Sequence, residues 1–212
     1  MSHEAEHYGP VVGRVAGLRA FPVKSMTAPR LEHARVEASG LQHDRAWAVV
    51  DDEGAVVTAK QVNGLRDVAA VVPDGAHAPE LVLAGEDEPL TGSAADAAVA
   101  RLVGRPARLQ VADGASFADV APVHVVSRQA VERAAADEGT TFGDPACSVE
   151  EPRANVELDL VDGELETAWV GRELHLGDVV LRISQQPKHC LGVYADVLRA
   201  GTVEVGDDVR LV

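Results

Sequence analysis

Residues 11–20, 31–38, 45–51, 55–59 and 68–72 are short runs, apolar or alternating between apolar and polar, separated by turn-forming residues. A period of two in runs of this length predicts half-buried strands. Between the third and fourth runs, Asp51-Asp-Glu-Gly54 predicts a hairpin loop with Gly54 in its turn. A loop over 73–79 and a short strand over 81–84 follow, and then the pattern changes. Ser93 with Asp96 three residues on marks a helix start, and Gly104 ahead of Pro106 marks its stop. Residues 107–111 return to strand.

After a loop over 112–118, residues 123–126 form an unbroken apolar run, as expected of a buried strand. Ser127 is placed to cap a helix that carries Ala130, Val131, Ala134 and Ala135 and ends at Gly139. Residues 139–151 are rich in turn formers and read as irregular. Strands are expected at 155–161, 173–176 and 179–183, with a tight hairpin at 176–179, and residues 203–212 repeat the same hairpin device. The predicted fold class is mainly β with a few short helices, a β-rich α+β chain. It is arranged as two β-barrel-like halves, residues 1–112 and 113–212, with a cleft between them.

The chain is long enough for one large or two small domains with their own cores. Its formal net charge of −15 opposes association with nucleic acid or an anionic membrane, since either needs a basic face. No run approaches the ~20 apolar residues of a membrane span, and residues 1–7 lack the basic and apolar regions of a secretory signal, so a cytoplasmic location is expected. In that compartment Cys147 and Cys190 are not expected to form a structural disulfide, and no CxxC or His/Cys cluster supplies a zinc site. There is no P-loop or dinucleotide fingerprint.

The acidity sharpens one contrast. Gln185-Gln-Pro-Lys-His-Cys-Leu-Gly192 sets a thiol beside Lys188 and His189, a locally cationic segment in an acidic chain. Neighbouring positive charge favours the thiolate, which attacks electrophiles, carries sulfur and binds soft metals. His189 is a poor base for Cys190, because adjacent side chains of an extended segment point to opposite faces. An inert buried thiol is the alternative for Cys190, and the only reading for Cys147.

Several blocks together carry a resemblance. Leu18-Arg-Ala-Phe-Pro-Val-Lys-Ser25, Gly40-Leu-Gln-His-Asp-Arg-Ala-Trp47 and Val57-Thr-Ala-Lys-Gln61 resemble the N-terminal β-barrel domain that precedes MOSC domains. Asp119 to Ser127, Arg153-Ala-Asn155, Trp169 to Asp178 and the Cys190 segment are similar to successive blocks of the MOSC domain itself. The resemblance extends to the C-terminal domain of molybdenum cofactor sulfurase and to the mitochondrial amidoxime-reducing components. One departure is Glu151-Pro-Arg-Ala-Asn155, which keeps the arginine and asparagine of the family block but displaces its proline.

The resemblance implies a molybdenum cofactor, a molybdopterin ending in a phosphate or a nucleotide. Cys190 would be both the metal ligand and the catalytic residue, and Lys24, Ser25, Arg45, Arg153 and Asn155 would contact the cofactor. Ser127, at its predicted helix start, would offer a hydroxyl and backbone amides to the same anion. The implied activity is reduction of N-hydroxylated or N-oxygenated small molecules. Because no ferredoxin-like cysteine cluster follows, electrons would come from separate electron-transfer proteins. Two other readings remain open. One is a sulfur carrier bearing a Cys190 persulfide, loaded by a pyridoxal-phosphate cysteine desulfurase, and the other is a cofactor-binding or storage protein without turnover.

Overall fold

Alternating sequence becomes alternating burial in the strands that face one core. Residues of His33–Glu37 are exposed and buried in strict turn, and those of Glu173–Leu176 alternate likewise. The computed structural model describes residues 9–86, 88–114, 116–118, 120–136, 152–161, 164–188 and 190–212. In chain order the strands are β1 (Val11–Leu18), β2 (His33–Glu37), β3 (Gly40–Leu41), β4 (Trp47–Asp51), β5 (Val56–Val57), β6 (Val68–Val71), β7 (Glu80–Leu83), β8 (Ala107–Val111), β9 (Val123–Ser127), β10 (Val156–Leu160), β11 (Glu173–Leu176), β12 (Val179–Gln185), β13 (Val193–Arg199), β14 (Gly201–Glu204) and β15 (Asp208–Leu211). The helices are α1 (Gly92–Val103) and α2 (Arg128–Ala136). The mainly β fold class read from the sequence is the one observed.

Two compact units divide the chain. One takes the chain up to Leu18, Glu32–Gly40 and everything from Ala121, and the other takes Arg19–Leu31 and Leu41–Val120. The chain therefore passes between the units more than once, and β1 belongs with the C-terminal strands. The physical reason is barrel closure: β1 pairs antiparallel with β10 on one side and β15 on the other, so the N-terminal strand completes a sheet built by the C-terminal ones.

The first unit holds a closed seven-stranded barrel in the order β1-β10-β9-β13-β12-β11-β15. Closure leaves no unpaired edge in it. The β9/β10 pair is parallel and the other pairs are antiparallel. Every residue of β9 is buried, because α2 packs over β9 and β10, with Val126, Ala130 and Ala154 in a small cluster beneath the helix. The expected hairpin at 203–212 is corrected. Asp207 donates to the Glu204 carbonyl at 3.2 Å to make the turn, but β14 pairs with β2 while β15 pairs with β1 and β11.

The second unit contains the sheets β5-β4-β8 and β6-β7 with α1. Its core gathers Met26, Val49, Leu65, Val68, Leu81 and Val99. Helix α1 starts two residues earlier than the Ser93 signal, with Thr91 as its N-cap. Asp96 does not complete a capping box; its carboxylate accepts the Leu109 N–H at 2.8 Å and ties β8 to the helix. No described helix is long and apolar enough to cross a membrane.

The predicted β4/β5 hairpin forms with Gly54 at φ 83°. Its anchor is Asp51, a buried carboxylate that accepts the Ala55 N–H at 2.8 Å and the Glu53 N–H at 3.2 Å and pairs with Arg105 at 2.8 Å. The Ala55 amide above all, then Arg105, holds its carboxyl below the usual carboxylate range. A depressed carboxyl contributes stability that is complete above the unfolded-state value and is lost as pH falls through the folded one. Asp51→Asn is therefore expected to lower the melting temperature at neutral pH and to flatten its further fall below about pH 4. Parallel acid limbs in the two proteins would contradict this role.

Candidate functional site

Cys190 lies in the connection between β12 and β13, half-buried, at the wall of a pocket of about 290 Å³. That connection is held at its far end by two close approaches to β9. The His124 ring nitrogen Nε2 lies 2.7 Å from the Leu191 carbonyl oxygen, and the ring tilts against Tyr194 with centroids 5.1 Å apart. At Gly192 the backbone has φ 84°, and a Cβ there would fall 2.2 Å from the Val125 carbonyl oxygen. Only glycine allows the chain to pass β9 so closely in this conformation. On the other side, Gln186 Nε2 donates to the Thr167 carbonyl at 2.8 Å, joining the loop to the short helical turn over Glu166–Trp169.

The sulfur of Cys190 is in a disulfide. This corrects the expectation that the cysteines stay unpaired; spacing along the chain carries no information about proximity in the fold. The only other cysteine in the sequence, Cys147, lies outside the described residues, as do His189 and the stretch expected to be irregular at 139–151. Among the described residues no group of three or more His, Cys, Asp and Glu side chains is arranged to hold a metal.

Two expected cofactor contacts are occupied by the protein itself. Ser127 is fully buried, its N–H donates to Glu166 Oε1 at 3.0 Å and its hydroxyl donates to Glu166 Oε2. The same hydroxyl accepts the Ala130 N–H at 3.1 Å, so Ser127 does cap α2 as its sequence position predicts. The group that the start of α2 holds is the buried Glu166 side chain. Asn155 is 1% exposed, and its Oδ1 accepts the His124 N–H at 3.0 Å while its own N–H donates to the His124 carbonyl at 2.8 Å. That exchange opens the parallel β9/β10 ladder, which makes Asn155 a structural tie. Arg153, two residues earlier, is half-buried.

Lys24, Ser25 and Arg45 do come together. The segments around 21–25 and 43–47 run side by side, with the Arg45 N–H donating to the Phe21 carbonyl at 2.7 Å, Trp47 to Pro22 at 3.0 Å and Lys24 to Trp47 at 2.8 Å. Phe117 joins them: its N–H donates to the Arg45 carbonyl at 2.8 Å, and its carbonyl accepts from Lys24 Nζ at 3.0 Å. Buried Asp44 locks the corner, accepting the Phe21 N–H at 2.7 Å and pairing with the Arg45 guanidinium, whose Cζ lies 5.4 Å from the Phe21 ring centroid.

Backbone strain concentrates here. Ser25, His43 and Arg45, at φ 72°, 67° and 50°, are all of the non-glycine residues with positive φ among the described ones. Each such residue costs roughly 1–3 kcal/mol and persists only where its surroundings impose it. No composition or spacing signal marks this strain in the sequence. His124 and Glu166 were equally invisible as site residues, being a single histidine in an apolar strand and one acid among many.

The first unit thus contains a closed β-barrel with a pocket that Cys190 lines, and the second contains the strained corner at Ser25, His43 and Arg45. The family model of the MOSC N-terminal beta barrel domain matches residues 12–135, and the chain belongs to that family. Proteins with MOSC domains are associated with binding of the molybdenum cofactor. Lys24, Ser25, Arg45 and Ser127 fall within the matched span, and Cys190 lies beyond it. Among solved structures, the YUAD protein from Bacillus subtilis is 12% identical, with a TM-score of 0.49 over 94% of this chain and 95% of that one. No curated protein matches the sequence.

Proposed function

We propose that this protein binds a molybdenum pterin cofactor and uses it to reduce N-hydroxylated or N-oxygenated small molecules. The observation that carries the reading is the strained corner of Lys24, Ser25 and Arg45, where an acidic chain gathers two cations and a hydroxyl on a backbone that pays for its conformation. That donor set fits an anionic cofactor terminus: the ammonium acts as a point charge and the guanidinium as a fork of donors. Cys190, once reduced, is the soft thiolate that this chain could offer such a metal.

The chemistry such a group supplies when bound is two-electron oxygen-atom transfer, with electrons returned by a separate protein. The chain's own part is to bind and orient. Asp44 holds the Arg45 guanidinium in place, Phe117 holds the Lys24 ammonium, and the His124 contact with Leu191 together with Gly192 fixes the loop that carries the sulfur.

The test is molybdenum content by elemental analysis, with pterin fluorescence, on reduced protein from a host that makes the cofactor. Near-stoichiometric metal in the wild type is expected, falling about tenfold in Lys24→Ala at unchanged melting temperature, since one charge-assisted contact is lost. Metal-free wild-type protein from a replete host overturns the proposal. Sulfane sulfur on Cys190 in such protein would support the sulfur-carrier reading instead.

A further inference from the structure

The pocket beside Cys190 has a charge asymmetry that cofactor binding does not use. Its wall is mainly aliphatic, with Ala130, Leu165 and Leu191, and its neutral polar groups come from Thr167 and Gln186. Arg133, on the last turn of α2, is the one charged residue among the described residues of that wall. A helix C-terminus favours a cation there, but that does not account for its place on a pocket wall. Other arginines of this acidic chain find carboxylates, as in Arg14 with Asp208, Arg105 with Asp51, Arg128 with Glu157 and Arg182 with Glu173. Among the described residues Arg133 makes no ion pair. Of the two acids that flank Leu165 on the facing wall, Glu166 is turned inward to Ser127 and fully buried, and Glu164 is exposed and does not line the pocket. Among the described residues, the wall of the pocket therefore keeps a positive end with no lining acid beside it.

We propose that Arg133 selects the substrate of this pocket: a small molecule with an apolar body and one carboxylate, the carboxylate held by the guanidinium. A volume of about 290 Å³ accommodates a single substituted ring, and the fork of donors matches a planar carboxylate in two parallel hydrogen bonds. That the substrate also carries an N–O group rests on the function proposed above; the charge preference does not.

The probes are 4-carboxybenzamidoxime and benzamidoxime, which differ in one carboxylate, titrated by calorimetry into the reduced full-length protein at low ionic strength. The carboxylate probe is expected to bind at least about tenfold more tightly, with the advantage shrinking as salt is added. Arg133→Gln should remove the advantage and leave benzamidoxime affinity unchanged, and Arg133→Lys should restore part of it. Equal affinities in the wild type, or an advantage that survives Arg133→Gln, overturn the proposal. Metal analysis on the same samples separates the two readings. Carboxylate preference in metal-free protein sinks the cofactor and keeps Arg133 as a selector, whereas metal-loaded protein without the preference does the reverse.

Discussion

Protein kept in its oxidised form should take up almost no molybdenum cofactor, and the same protein treated with a dithiol should approach one molybdenum per chain. The Cys190 sulfur is in a disulfide. A disulfide sulfur carries no ionisable proton and offers no thiolate charge, and it is the thiolate that ligates a metal. Reduction consumes two electrons and two protons from the dithiol, which itself becomes a disulfide, and releases two thiols. Cys190 sits on the pocket wall, so the released thiol faces an open volume. Its ligation is then tied to pH, because metal binding displaces the thiol proton. Cys190→Ser replaces a soft donor with a hard, protonated hydroxyl and should cut bound molybdenum about tenfold or more even under reducing conditions. The measurement is metal per chain before and after reduction, alongside a thiol titration. Full occupancy in protein whose thiol titration shows the disulfide intact, or in Cys190→Ser, would remove Cys190 from the metal site.

The features legible in the sequence were those whose causes are local. The β4/β5 hairpin is specified by Asp51 and Gly54, which stand three positions apart and meet in the turn itself. The β11/β12 hairpin is specified by Gly177, in the same way. Ser127 as a helix cap also needed only its neighbours. Partner choice was another matter. The turn at 204–207 looks like a hairpin, yet β14 is drawn to β2 and β15 to β1, because both find partners more than a hundred residues away that bury their apolar faces. For the same reason no composition shift reveals that β1 belongs with the C-terminal strands.

The candidate site divides along the same line. Lys24, Ser25 and Arg45 were singled out by the blocks in which they occur, and the fold gathers them. The left-handed backbone at Ser25, His43 and Arg45 is a tertiary effect, arising where Asp44 and Phe117 tie together segments the blocks do not include together. Ser127 and Asn155 show the opposite case. A polar residue type marks a possible contact, but whether its hydrogen-bonding capacity is left for a ligand depends on burial, and here Glu166 and His124 consume it.

Gly192→Ala is expected to destabilise the barrel unit by roughly 2–4 kcal/mol and to displace the Cys190 loop, since it combines a left-handed conformation with a backbone clash. The added Cβ would meet the Val125 carbonyl oxygen at 2.2 Å and the His124 Nε2 at 3.2 Å, and the first of these is backbone in a fully buried strand. Neither side can yield cheaply. Val125 pairs with Val156 on one side and Val193 on the other, so moving it disturbs the ladders of β10 and β13 together. Relief is easier on the loop side, by letting Leu191 leave His124 and carrying Cys190 outward with it. Two readouts follow: a melting temperature lowered by several degrees, and a reduced Cys190 thiol that reacts faster with a bulky alkylating reagent at a temperature where the variant is still folded. A control is Gly54→Ala, whose turn has φ 83° and nothing within 4 Å of an added Cβ, so that it carries the conformational cost without the clash. Equal destabilisation by the two substitutions would show that conformation alone sets the cost. An unchanged alkylation rate in Gly192→Ala would mean that the close approach to β9 does not hold the Cys190 loop in place.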